Sequence, residues 1–173
     1  MNRNLKSILP HGVAILVFVI FASVYFSPLF TGYNLIQNDI NQFKGMSKEI
    51  SDQRVMNETD PLWTNSMFGG MPAYQISVNH PQPFLRAIDK IFKLGSKGGL
   101  GTVFLYMLGF YILMMALKID PLLGAIGAIA FAFSSYFFII IEVGHNSKAF
   151  ALGYMPAVLA GFVMLFRNKQ YLW

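Results

Sequence analysis

Four long blocks of the sequence contain no Asp, Glu, Lys or Arg: residues 12–30, 100–117, 122–141 and 149–166. At about 1.5 Å per helical residue, each block is long enough, or nearly so, to cross a hydrocarbon layer of about 30 Å. Only 12% of all residues are charged, which leaves too little polar surface to cover four buried helices in a soluble protein. The sequence therefore predicts an all-α integral membrane protein whose four transmembrane helices are these blocks.

The first block is preceded by Arg3 and Lys6, a pattern that also begins secretory signal peptides. Its apolar core exceeds the roughly 7–15 residues of such a peptide, and the stretch ending in YFSPLFTG offers no cleavage site of the A-x-A type. We interpret the block as a retained span. The chain has no cysteine, so disulfides and thiolate metal sites do not enter the prediction.

Basic residues in the short flanks of the blocks predict the orientation in the membrane. Lys148 alone lies on one side, and five lie on the other: Arg3, Lys6, Lys118, Arg167 and Lys169. The positive-inside rule makes the richer side cytoplasmic. Both ends of the chain are then inside, and the loop 31–99 shares the outer face with the turn between the third and fourth spans.

The outer loop is predicted to fold, since it mixes charged residues with aromatic ones. Ile36, Ile40, Phe43, Met46 and Ile50 recur at helical spacing, which predicts a helix over about 36–54. A second helix over 83–97 starts at Pro83 and has one apolar and one charged face, as in helices that lie in the membrane interface. Small residues in the third and fourth spans are predicted to let helices approach closely: Gly124, Gly127, Ala128, Ala157 and Gly161.

The first candidate site residue is Asp39, which follows the first span by nine residues in the polar stretch QNDINQ. A carboxylate there, with Gln42 close by, is suited to accept a proton from a hydroxyl or to bind a cation. The alternative is a helix-start carboxylate that only satisfies backbone N–H groups.

A second candidate set lies in EVGHNSK, where the third span surfaces. Glu142 and His145 are three residues apart and would project from one side if the helix continued through them. The alternative is an interfacial cap in which Glu142 pairs with Lys148 and Asn146 caps the fourth span. A metal site shared with Asp39 is a weak third interpretation. We expect Glu142 or His145 to lie within about 10 Å of Asp39.

Gln42, Asn146 and Lys148 of these polar stretches are candidates for substrate binding, and three further loop residues join them. Trp63 and Tyr74 offer ring faces for a sugar, or equally anchors at the headgroup level of a membrane. Arg54 could bind a phosphate through two hydrogen bonds, or could simply be solvated. The net charge of +5 does not indicate nucleic acid, because the basic residues form no cluster with interleaved aromatics.

Three stretches together resemble the start of bacterial YfhO-type membrane proteins, most like those of Bacteroidetes: SPLFTGYNLIQNDINQFKGMSKEI, PLWTNSMFGGMPAYQ and AFAFSSYFFIIIEVGHNSKAFALGYMPAVLAG. The resemblance implies that the chain is the amino-terminal portion of a longer protein in the bacterial inner membrane. That family is similar to GT-C glycosyltransferases, which take a sugar from a polyprenyl-phosphate carrier. The resemblance implies that Asp39 is the base or metal ligand and that Glu142 and His145 form a second part of the site. NDIN has one acidic residue instead of the pair common in that class, which leaves a divalent metal cofactor open.

Two functions follow as expectations. The first is transfer of a polyprenyl-phosphate-linked sugar to a cell-envelope acceptor at the outer face, next to membrane lipid. The alternative is a non-enzymatic transport or assembly component whose outer loop binds a partner. The spans offer few polar groups at mid-depth, which disfavours transport, and the 173 residues are not expected to act alone.

Overall fold

The computed structural model describes residues 3–78, 83–96 and 98–167. The described chain is mostly helical, with helices α1 Arg3–Tyr25, α2 Asn38–Met46, α3 Lys48–Asn57, α4 Pro83–Phe92, α5 Gly99–Ala116, α6 Pro121–Ala132, α7 Ser135–Val143 and α8 Asn146–Arg167. Short 3-10 helices cover Ser27–Thr31 and Ala73–Gln75. Two antiparallel strands, β1 Trp63–Thr64 and β2 Met71–Pro72, pair Trp63 with Pro72 and Thr64 with Met71. Lys97 and Lys169 lie outside the described residues.

Three helical stretches are long and apolar enough to cross a membrane: Ser7–Tyr25, Gly99–Ala116 and Asn146–Arg167. Helices α6 and α7 make a fourth if they count as one span, although they are bent by 47° at the break between them. The chain is thus a mostly helical protein with three to four candidate membrane-spanning helices, in agreement with the predicted class.

Two of the predicted spans differ from the helices. The first was predicted over 12–30, but α1 ends at Tyr25 and a separate 3-10 helix begins at Ser27. Pro28 in its first turn disfavours a continuous helix, because proline lacks an N–H and clashes with the preceding turn. The third was predicted over 122–141 as one helix. Ser134 instead has extended backbone (ψ 135°) and stands as the N-cap of α7, a position that serine favours.

The two predicted loop helices are also modified. The helix expected over 36–54 is divided at the buried Ser47 into α2 and α3, just after Gly45, whose helix propensity is low. The helix expected over 83–97 ends at Phe92. Leu94 and Gly95 then adopt left-handed backbone, and the Gly95 N–H donates to the Lys90 carbonyl oxygen at 2.6 Å, which is a common way to end a helix.

Helix α5 is the centre of the bundle and packs against α1, α6 and α8. It approaches the backbone of α8 closely, since a Cβ atom placed on Gly109 would be 2.5 Å from the Gly153 carbonyl oxygen. Gly124, predicted for packing, does contact α5, since a Cβ there would be 2.9 Å from Met115 Cε. Gly161, also predicted for packing, has nothing within 4 Å of such a Cβ.

Contacts between distant residues define the two ends of the bundle. At one end His11 Nδ1 and the Tyr111 hydroxyl are 2.7 Å apart, and Arg167 donates to the Ala116 carbonyl oxygen at 2.6 Å. At the other end Gln37, in the connection between α1 and α5, donates to the Ile141 carbonyl oxygen at 2.5 Å. The long connection and the α7–α8 turn therefore meet at one end of the bundle, as the sequence predicts.

Helix α4 is fastened to α8 by a buried lysine. Lys93 is only 7% exposed; its Nζ is 2.6 Å from Asp89 Oδ1 and 3.1 Å from the centre of the Phe150 ring. The Tyr154 hydroxyl donates to the same Asp89 oxygen at 2.7 Å. The positive charge is thus compensated by a carboxylate and a ring face, and the three groups tie α4 to the first half of α8.

Glu49 organises the part of the connection between α3 and β2. Its Oε2 accepts from the Thr64 hydroxyl at 2.6 Å and from the Asn65 N–H at 2.9 Å. Thr64 and the neighbouring apolar Ile50 are both fully buried. This small interior holds β1 on α3.

Replacing Thr64 with valine is expected to loosen this interior by about 1–3 kcal/mol, because a buried hydrogen bond to a carboxylate is lost at nearly constant volume. Hydrogen exchange of the 62–73 amides measures the change and should become faster. Thr59→Val is the matched control, since Thr59 is exposed. Equal exchange in the two variants would contradict a structural role for the Thr64–Glu49 bond.

Candidate functional site

A glycine brings the start of α2 onto the turn between α7 and α8. Gly144 has φ +102° and ends α7, with its own N–H and that of His145 both donating to the Ile140 carbonyl oxygen. A Cβ atom at Gly144 would lie 3.0 Å from Gln37 Cβ and 3.3 Å from Asp39 Cβ. Only a residue without a side chain therefore allows both this backbone conformation and so close an approach.

The contact joins Asp39 to His145. His145 Nε2 is 2.7 Å from Asp39 Oδ2, with side-chain exposures of 51% and 38%. The predicted proximity of these two residues is confirmed. Asp39 lies in the first turn of α2 and His145 directly precedes α8. The pair therefore stands between two helix N-termini and remains open to solvent on one side.

An amide pair fixes the backbone beside Asp39 and His145. Gln37 Nε2 donates to Asn146 Oδ1, and Asn146 Nδ2 donates to Gln37 Oε1, both at 3.3 Å. With the bond from Gln37 to Ile141, three hydrogen bonds hold α2 to the α7–α8 turn. Asn146, a predicted substrate-binding residue, is therefore engaged by protein. Gln37 was predicted only as part of the polar stretch around Asp39, and its bonding to this turn had no signal in the sequence.

Among the described residues, no contact brings Glu142 to Asp39. The helix that would place Glu142 and His145 on one side does not continue through both, since α7 ends at Val143 and Gly144 follows with left-handed backbone. Within the described residues, Glu142 is exposed and has no ion pair or side-chain hydrogen bond. Lys148 does not pair with it either; Lys148 Nζ lies 5.4 Å from the centre of the Tyr136 ring. The interfacial-cap alternative is therefore not observed in its predicted form.

The remaining candidates are divided between this site and the rest of the connection. Gln42 is exposed and lies three residues after Asp39 on α2, hence on the same side of that helix. Arg54 donates through Nε to Asp60 and through two further nitrogens to Ser77, both at 2.9 Å. These bonds favour a structural role for Arg54. The sequence predicted either phosphate binding or a solvated side chain.

The two aromatic candidates belong to the β1–β2 region. The Trp63 ring covers Gly70, where a Cβ atom would be 2.7 Å from Nε1, and Nε1 donates to Asn65 Oδ1 at 3.3 Å. Trp63 and Tyr74 are 53% and 65% exposed. Their rings are free to meet a ligand or a membrane surface, and no contact among the described residues joins them to Asp39 or His145.

Metal binding is limited to two ligands at this site. Across residues 3–78, 83–96 and 98–167, no three His, Asp or Glu side chains converge as a metal site would require. Asp39 and His145 could serve as two ligands, and a metal held by them would need further ligands from elsewhere.

The chemistry of the Asp39–His145 pair follows from the two ring nitrogens of His145. If His145 Nε2–H donates to Asp39, the neutral ring keeps a lone pair on Nδ1, where it can accept a proton. A carboxylate that orients an imidazole is a recurrent arrangement for general-base catalysis.

No family model, curated protein or solved structure matches this chain. The resemblance to YfhO-type proteins therefore depends on the three stretches that begin at Ser27, Pro61 and Ala130.

Proposed function

We propose that this chain is part of a YfhO-type bacterial inner-membrane glycosyltransferase of GT-C character, which transfers a sugar from a polyprenyl-phosphate carrier to a cell-envelope acceptor. The observation that carries the proposal is the contact between Asp39 and His145. It joins the start of the connection after α1 to a turn about a hundred residues later. Both residues lie in the two regions that the resemblance assigns to catalysis.

The proposed topology has four spans: α1, α5, the bent α6–α7 pair and α8. Arg3, Lys6, Lys118 and Arg167 mark the cytoplasmic end by their charge. Asp39 and His145 then stand at the outer face, where α1 and α7 leave the membrane. A carrier lipid would present its phosphate at this level while its chain remains among the helices.

In the proposed reaction the acceptor hydroxyl gives its proton to His145 Nδ1, and its oxygen attacks the anomeric carbon. The bond from that carbon to the phosphate oxygen breaks, and the polyprenyl phosphate leaves with the electron pair. Asp39 stabilises the imidazolium that forms, and Lys148, one turn into α8 from His145, offers a positive charge to the phosphate. Because a phosphate leaves readily as an anion, one base and no separate acid are sufficient.

The proposal is tested by Asp39→Asn, introduced in the organism that carries the gene. We expect the polyprenyl-phosphate-linked donor to accumulate and transfer of its sugar to the envelope to fall by about 10²–10⁴-fold, the contribution typical of a general base and its partner. Mass spectrometry of lipid-linked saccharides and sugar analysis of the envelope measure both effects, with protein abundance followed by immunoblot.

The matched control is Asp52→Asn, which removes an exposed carboxylate from the same connection. Among the described residues, the ion-pair partner of Asp52 is the exposed Lys48, so little stability is lost. Normal envelope sugars in the Asp39 variant would exclude the catalytic role. An equal loss in both variants would also do so, since it would report a general effect of removing charge.

One observation favours the non-enzymatic alternative, a membrane component whose outer loop binds a partner. Large apolar side chains of the connection are strongly exposed: Val55, Met56, Leu62 and Phe68 are each at least 80% exposed, which is typical of contact surfaces. In that case the contact between Asp39 and His145 only holds the start of α2 against the α7–α8 turn. Asp39→Asn would then leave the envelope sugars unchanged, whereas Leu62→Ser with Phe68→Ser would abolish function.

A further inference from the structure

A groove opens at the end of the bundle opposite Asp39 and His145. It lies between α1, α5 and α8, has a volume of about 560 Å³ and is lined mainly by apolar side chains, among them Ile15, Ile112, Met115 and Met164. Two cationic residues complete its lining where the helices end, namely Lys118 in the α5–α6 turn and Arg167 at the end of α8. The groove thus combines an apolar wall with two positive charges.

Neither charge is neutralised by a carboxylate within the described residues. Lys118 is exposed, has left-handed backbone at φ +61° and forms no ion pair there. Arg167 donates one N–H to the Ala116 carbonyl oxygen at 2.6 Å, which holds the guanidinium at the groove, and its other N–H groups have no acceptor among the described residues. The nearby Asp120 keeps its negative charge but forms no ion pair with either cation among the described residues; its Oδ1 accepts from the N–H groups of Leu122 and Leu123 at the start of α6.

We propose that this groove binds one anionic phospholipid. The lipid phosphate would lie between Lys118 and Arg167, and the upper part of an acyl chain would lie along the apolar wall. A guanidinium that is already positioned suits a phosphate oxygen pair, and basic pockets between helix ends are the usual sites for acidic headgroups. A groove of this volume is within the range of ligand pockets.

Charge distinguishes this occupant from others. A lipid with a neutral or zwitterionic headgroup would gain the apolar wall but leave the two cations without net compensation. The site depends only on the chain being embedded in a membrane. Because the groove lies at the end remote from Asp39, lipid binding there can be tested independently of glycosyl transfer.

The test uses the 173-residue chain purified in detergent, with phosphatidylglycerol and phosphatidylcholine of identical acyl chains as probes. Native mass spectrometry counts bound lipids, and we expect one phosphatidylglycerol to be retained with at least about tenfold preference. In the double variant Lys118→Asn with Arg167→Gln, that preference should fall to within about twofold. Asparagine tolerates left-handed backbone, and glutamine can still donate to the Ala116 carbonyl, so the fold is expected to persist.

Two further measurements separate this site from weaker explanations. Removing two cations at the opposite end, Lys44→Asn with Lys90→Asn, should leave the preference unchanged. Ile112→Trp fills the groove without altering charge and should lower retention of phosphatidylglycerol. The proposal is overturned if both lipids bind equally to the original chain, if Ile112→Trp has no effect, or if millimolar inorganic phosphate displaces the lipid.

Discussion

Replacing Gly109 with leucine is expected to separate α5 from α8 and to lower the melting midpoint of the purified chain by on the order of 10 °C. Even the first atom of a side chain at Gly109 would meet the Gly153 carbonyl oxygen at 2.5 Å. That obstacle is backbone within a helix, so it cannot move aside as a flexible side chain could. Overpacking typically costs about 1–3 kcal/mol, and α5 is the helix on which α1, α6 and α8 pack.

Gly161→Leu is the matched control, since it makes the same exchange on α8 at a position with nothing within 4 Å. Its melting midpoint should stay close to that of the original chain. If both variants melt at the same temperature, the Gly109–Gly153 contact is not the basis of α5–α8 packing. Thermal unfolding in detergent, followed by size-exclusion chromatography, measures all three proteins.

Replacing Gly144 with alanine is expected to detach the start of α2 from the α7–α8 turn. The substitution forces a residue with a Cβ into φ +102°, which costs about 1–2 kcal/mol. It also places that Cβ 3.0 Å from Gln37 Cβ and 3.3 Å from Asp39 Cβ. The α2 amides should then exchange hydrogen at least about tenfold faster, since each 1.4 kcal/mol of lost protection changes the rate tenfold.

Gly32→Ala separates backbone strain from the loss of close approach. Gly32 has a similar φ of +91° but nothing within 4 Å of an added Cβ. Exchange in α2 should therefore remain slow in that variant. Fast exchange in both would show that strain anywhere in the connection is enough to release α2, and that the contact between Gly144 and Gln37 does not hold it.

Much of the helical framework was predictable because apolar block length and helix length follow the same geometry. The block 100–117 and α5, Gly99–Ala116, differ by one residue at each end. The breaks were harder to predict, since they depend on single residues within apolar or amphipathic runs. Ser134 and Ser47 each divide a predicted helix, although serine also occurs inside helices whose tertiary contacts outweigh its preference for caps.

The site was only partly predictable. Polar residues in two otherwise apolar contexts identified Asp39 and His145, because burying such groups requires partners. Glu142 was included because it lies three residues before His145. That spacing places two side chains on the same side only within a continuous helix, and Gly144 ends the helix between them. The partner of Asn146 was not foreseeable, since Gln37 lies more than a hundred residues away and amides pair with almost any polar group.

The contacts around Lys93 restrict how α4 can move relative to α8. Swinging α4 away from α8 would remove the ammonium group from the Phe150 ring and the Asp89 carboxylate from the Tyr154 hydroxyl, whereas the Lys93–Asp89 pair would move with α4. We therefore expect α4 and α8 to move as one unit. A displacement of α4 alone would first have to break both of these contacts and would leave the Lys93 charge without its ring partner.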